Sequence, residues 1–139
     1  MGEKSSSLAK ANECFVCGRG NPHGMQAPFE THREGHTASC RMVIPSRYQG
    51  WRDVIHGGIL ATLLDEACVH ACRTIGPFPV TAEISVKFKK PVPPGAEIFV
   101  RGEVIQQRRR VLLARGRLEI NGQVYAEAEA KVLLLAETG

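Results

Sequence analysis

The residues best placed to do chemistry lie in one run, His56-Gly57-Gly58-Ile59-Leu60-Ala61-Thr62-Leu63-Leu64-Asp65-Glu66. Two glycines at a helix start leave the first-turn N–H groups open to close approach, and the helix dipole favours negative charge there. A carbonyl oxygen that gains charge during a reaction would be stabilised at such a place. As a lone dipeptide, Gly57-Gly58 reads as no more than a turn into the helix. The carboxylate downstream changes that balance, because Asp65 falls in the middle of an apolar helix, where it must be solvated, paired or used. Its neighbour Glu66 shares a helical stripe with His70 and Arg73, which gives it ion-pair partners and the character of a solvated face. Asp65 instead shares a stripe with Ala61, Thr62, Cys68 and Cys72, small residues that leave room for a ligand. The expected division of labour is Asp65 as the reacting carboxylate and the N–H groups of the helix start as the oxyanion site. His56 is expected to cap the helix rather than transfer protons.

The remaining groups with chemical capacity are weaker. Cys14-x-x-Cys17 is read as a structural turn: only His23 stands close by, short of the four ligands of most structural zinc sites, and the βαβ context of a redox pair is missing. No metal and no cofactor are expected. Five cysteines is an odd number without the density of a disulfide scaffold, so reduced thiols and a cytoplasmic location are expected. The net charge of +4 is spread over Lys87, Lys89 and Lys90 and a run at Arg108, Arg109 and Arg110. Aromatics make up only 6% and do not interleave with these basic residues, so the stacking platforms of a single-strand nucleic-acid binder are missing. No run reaches the ~20 apolar residues that span a bilayer, and Met1 to Lys10 have no signal-peptide core.

These groups must be positioned by the material of one domain, since 139 residues with 43% hydrophobic content can bury one core but not two. Residues 1 to about 25 read as an irregular extension whose first ten residues are poorly ordered. From Met25 to Pro45 two β-like runs flank Glu34-Gly35 and form a first hairpin. The apolar run from Ile59 begins a helix that Gly76-Pro77 stops near Thr74. It is apolar on most sides near its start, so it must be wrapped by a sheet or packed in an interface. Val80, Ala82, Ile84, Val86 and Phe88 alternate with polar residues, the pattern of a strand with one buried face. Strands follow at about 97–106 and 111–120, and Asn121-Gly122 turns the chain into 123–135, whose alanines let a helix lie close. The order of elements favours an α+β hotdog fold, a curved antiparallel sheet of about six strands wrapped around one long central helix, while other α+β folds share the strand pattern.

His56-Gly57-Gly58 followed by the helix to Asp65 resembles the signature of the hotdog thioesterases of the phenylacetate-degradation type, with similarity over about residues 40 to 135. The resemblance implies acyl-CoA as substrate and a carboxylate at Asp65 that attacks the thioester carbonyl as nucleophile or general base. It implies that the Gly57 N–H polarises the carbonyl from a different subunit, hence a homodimer or a dimer of dimers with the site at the interface. It also implies that the Thr81 hydroxyl orients the attacking group, the alternative being an ordinary strand threonine. An amide side chain before His56 is common in the family, and Gln49 is the nearest candidate, although Gly50 and Arg52-Asp53 depart from the commoner loop. Cys14-x-x-Cys17-Gly-x-Gly-Asn21-Pro22-x-Gly24 resembles an N-terminal element of some relatives. On this reading His56 and Gly58 line the substrate, and Lys89, Lys90, Arg108 and Arg110 meet the CoA phosphates. Two other functions share these features. A hotdog hydratase or dehydratase would use His56 and Asp65 on the acyl Cα and Cβ, and a non-catalytic acyl-CoA-binding module would hold the ligand without turning it over.

Overall fold

A computed structural model describes residues 13–135; the expectation for Met1 to Lys10 lies outside them. The order of elements is β1 (Glu30–His32), β2 (Thr37–Val43), a 3-10 turn (Ser46–Tyr48), α1 (Gly57–Arg73), β3 (Pro79–Phe88), β4 (Glu97–Arg108), β5 (Val111–Ile120) and β6 (Gln123–Leu134). The six strands form one antiparallel sheet in the order β1-β2-β4-β5-β6-β3. Bulges between Thr81 and Glu83, Val104 and Gln106, and Leu118 and Glu119 bend the strands, and the sheet curls around α1. This is the hotdog architecture.

The turns follow local chemistry. Asn121 (φ 51°) and Gly122 (φ 81°) supply the two positive φ angles of a tight hairpin, and Gly35 (φ 82°) does the same service between β1 and β2. Arg109, at φ 56°, carries the turn between β4 and β5.

The helix lies unusually near the sheet because small residues floor it. Ala126, Ala128 and Ala130 of β6 are buried beneath it, as the alternation of that strand implies. The nearest approach is at Gly102 of β4, where a Cβ would stand 2.4 Å from the Ala67 carbonyl oxygen. Any side chain there must push α1 off the sheet. Leu60, Leu63, Leu64 and Ala67 fill one core with Ile98, Val100 and Leu118, and Cys68 and Cys72 fill a second with Leu112, Ala114 and Val132.

Residues 13–29 hold no helix or strand, and Val16, Met25 and Ala27 among them are core residues, tied in by Met25 N–H to Phe15 O (2.8 Å) and Ala27 N–H to Val16 O (2.7 Å). Strand β3, expected to bury one apolar face, leaves apolar residues uncovered on both: Ile84 and Phe88, on the face of the buried Ala130 and Ala126, are 38% and 54% exposed, and Val80, set on the opposite face by the bulge, 41%. The reason is position, since β3 is an edge strand that pairs only with β6 and meets α1 only through residues such as Thr81 and Phe88. Period-two patterning reports that a face is apolar, not what covers it.

Candidate functional site

The segment before α1 folds into a compact loop. Gly50 N–H donates to Val54 O (2.8 Å), His56 N–H to Tyr48 O (3.0 Å), and the Asp53 N–H to the Gln49 side-chain Oε1 (3.0 Å). Gln49 thus closes its own loop. At the loop's end His56 caps α1, its Nδ1 accepting the Gly58 N–H at 2.8 Å. A Cβ on Gly58 would sit 3.1 Å from that nitrogen, so the second glycine is what lets the imidazole reach the cap. The cap leaves the Gly57 N–H as the first-turn donor with no acceptor among the described residues, since Ile59 and Leu60 both donate to the His56 carbonyl. Gly57 borders a surface pocket of about 410 Å³ lined by Gly50, Trp51, Val54, Ile55 and His56. On its other side lies the Phe88 ring.

Two turns further along the helix, the half-buried Asp65 accepts a 2.6 Å hydrogen bond at Oδ1 from the Thr81 hydroxyl of β3. The bulge after Thr81 explains the contact. It shifts the alternation of β3, so that Thr81 faces the helix although it is out of phase with Phe88, which also lies against it. A short bond from a hydroxyl fixes the carboxylate's orientation. The companions of Asp65 on its stripe are not all open space. Cys68 and Cys72 are fully buried, and burial pushes both thiols up to about 12, with Cys72 and Asp65 adding to the effect at Cys68.

Glu66 is not on a solvated face. It is 6% exposed, its Oε2 lies 3.0 Å from Nε2 of His70, itself 7% exposed, and the His70 ring stacks on Phe29 at 5.1 Å. Of the expected polar stripe only Arg73 is exposed. The N-terminal loop covers the other two, with Cys14 Sγ 4.0 Å from Glu66 Oε2. Burial raises the Cys14 thiol, but the N–H groups of Cys17 and Val16 lower it further, leaving it below the ordinary thiol value. The i, i+4 relation of Glu66 and His70 was visible in the sequence; the loop that buries them was not.

The basic residues fall into two groups. Lys89 and Lys90 donate their N–H groups to Tyr125 O at the start of β6, near Gly57, and Lys89 Nζ pairs with Glu127 at 3.3 Å. Arg110 accepts the Leu134 N–H at the far end of β6, ~30 Å away at the ~3.3 Å rise of a strand. One chain does not bring these groups together.

This fold and its loop-capped helix define a hotdog protein with a carboxylate and a helix-start donor on its central helix. The chain matches the thioesterase superfamily over residues 53–127, more than half its length, and belongs to that family. Among solved structures it is similar to a thioesterase superfamily protein at TM-score 0.81 and 23% identity, covering 88% of this chain and 61% of that one, so it spans under two thirds of that relative. It is also similar to a putative thioesterase, a phenylacetic acid degradation-related protein of Ralstonia eutropha (TM-score 0.70, 19% identity, 76% and 81% covered). The PaaI protein from the phenylacetic acid degradation operon of E. coli stands alongside it (TM-score 0.70, 21% identity, 74% and 75% covered). These likenesses show the fold. Among curated proteins, a 3-hydroxyacyl-[acyl-carrier-protein] dehydratase of Thiobacillus denitrificans is 38% identical over 48 residues, 34% of this chain and a third of that protein. No helix of the described residues is long and apolar enough to cross a membrane.

Proposed function

We propose that the protein is an acyl-CoA thioesterase, hydrolysing a thioester to a carboxylic acid and free CoA as a homodimer or dimer of dimers. Asp65 is the nucleophile or general base, Thr81 orients it, and the Gly57 N–H of a second subunit polarises the carbonyl. The observation that carries this reading is the separation of the two groups on one helix. From Gly57 to Asp65 the helix advances ~12 Å at ~1.5 Å per residue, whereas an attacking atom and an oxyanion donor must both lie within ~3 Å of one reacting carbonyl. One chain therefore holds half of each of two sites. The uncovered apolar residues of β3, beside Asp65 and Gly57, support a partner packed there.

As general base, Asp65 takes a proton from water, whose oxygen adds to the carbonyl carbon; negative charge collects on the carbonyl oxygen at the Gly57 N–H, and collapse expels the CoA thiolate. As nucleophile, Asp65 itself displaces the thiolate, and water then opens the resulting anhydride. In this reading His56 and Gly58 shape the donor end of the pocket, with Gln49 holding its loop, and Lys89 and Lys90 meet CoA phosphates there. Arg108 and Arg110 join them where a second chain brings that end of the sheet round.

Thiol release measured over short, medium, long and aromatic acyl-CoAs, for the wild type and Asp65→Asn, tests the proposal. Turnover of one class that collapses in the variant is expected; turnover unchanged by Asp65→Asn overturns the mechanism, and tight binding without hydrolysis overturns the activity. The likeness to the dehydratase favours a second reading, acting on Cα and Cβ of the acyl chain. Hydration of an enoyl-CoA without thiol release would select it.

A further inference from the structure

On the face of α1 turned ~100° from Asp65 the chain assembles a group of ligand atoms that the thioesterase reading does not use. The sulfurs of Cys14 and Cys17 and a carboxylate oxygen of Glu66 all lie within 4.8 Å of one another. They come from two places, a tight loop and the middle of the helix, and Cys14 and Glu66 are 52 positions apart in the chain. His23, the one histidine close to the cysteines in sequence, is not among them; its N–H donates to the Asn21 side chain at 3.0 Å.

The loop is built for the cluster. The N–H groups of Val16 and Cys17 both point at Cys14 Sγ, and the Gly18 N–H closes the turn on the Cys14 carbonyl at 2.9 Å. Those two N–H groups and the closed turn fix where the Cys14 sulfur sits, beside the Glu66 carboxylate. The Asn21 side chain donates to Glu13 O (3.2 Å), and at Gly24 a Cβ would stand 2.6 Å from Phe15 O, so only glycine lets the loop fold back this tightly. The carboxylate is held as well. His70 Nε2 lies 3.0 Å from Glu66 Oε2, and Phe29 stacked on the imidazole fixes its plane. A metal-binding carboxylate steadied by a further hydrogen-bonding side chain is the usual arrangement, and loss of that support weakens binding.

We propose that Cys14, Cys17 and Glu66 form a site for a single divalent cation of the zinc class, which fastens the N-terminal loop to α1. Two thiolates and a carboxylate suit zinc over magnesium or calcium, which take oxygen ligands alone. Bonds of ~2.3 Å to sulfur and ~2.0 Å to oxygen set tetrahedral ligands ~3.5–3.8 Å apart, so the cluster closes by about 1 Å at its widest, within the reach of side-chain rotation. Water takes the fourth position. The site is a fastening rather than part of thioester chemistry, and it stands whether or not the proposed activity does.

Titration of the full chain, purified in a non-thiol reductant and freed of metal, with cobalt and then zinc tests this directly. One equivalent of cobalt per chain should bind with the sulfur-to-metal charge-transfer absorption of thiolate ligation, zinc should displace it, and zinc should raise the Tm. Cys14→Ser and Cys17→Ser should each abolish the absorption, and His70→Gln should weaken affinity by ~10–100-fold while keeping it. Absence of the charge-transfer band in the wild type overturns the site without reliance on any variant. So does its persistence in folded Cys14→Ser, or a Cys14–Cys17 disulfide that survives the reductant.

Discussion

Asp65 and Glu66 are adjacent carboxylates on one helix, and the structure gives them opposite surroundings. One residue along an α-helix turns a side chain by ~100°. That rotation aims the half-buried Asp65 at the edge strand β3, where the Thr81 hydroxyl holds it at 2.6 Å. It aims Glu66 at the N-terminal loop, where His70, Phe29 and Cys14 enclose it. The contrast separates two uses of a carboxylate in an apolar helix. A group at an uncovered edge is available to a ligand or a second subunit, while a group closed over by its own chain joins elements together.

Substitutions at the two carboxylates and at β3 separate these uses. Asp65→Asn keeps shape and removes the reacting oxygen, so kcat should fall by ~10²-fold or more with KM little changed and Tm near wild type. If thioester hydrolysis survives it and collapses in Glu66→Gln, the two roles are reversed. Next in size is Ile84→Lys, which places a charge on the uncovered face of β3 and should convert the oligomer to monomer by sedimentation, with activity lost in parallel. An active monomer would show that one chain holds a whole site.

Thr81→Val removes the hydroxyl that orients Asp65, and kcat should drop by roughly 10-fold, the scale of one hydrogen bond to a charged group; Thr81→Ser should restore most of it. Glu66→Gln acts mainly on stability, about 1–3 kcal/mol in denaturant titration, because a buried pairing is disturbed, and it should be far milder on kcat than Asp65→Asn. The smallest effect is on thiol labelling. Burial raises Cys40 to about 11 and Cys68 and Cys72 to about 12, so in mildly alkaline solution an alkylating reagent should leave these three unmodified until the chain unfolds. Rapid modification of Cys68 in the native protein would mean that the Asp65 flank opens more deeply than described.

What the sequence determined by itself was local or periodic. The Asn121-Gly122 and Glu34-Gly35 turns, the span of α1 and its stop, the His56 cap and the alanines beneath the helix all follow from φ preferences, hydrogen-bonding capacity and repeat period, which act over a few residues. Tertiary structure decided the rest. The bulge in β3 puts Thr81 against Asp65, although strict alternation would have turned it to the face opposite Ile84, Val86 and Phe88. Gly102 sets the distance between helix and sheet through a contact with Ala67 that no local pattern encodes. The same holds for Glu66, whose helical stripe with His70 reads as solvated until a loop 52 positions earlier folds over it. A helix fixes the direction in which a side chain points, but only the packing of distant segments fixes what stands there.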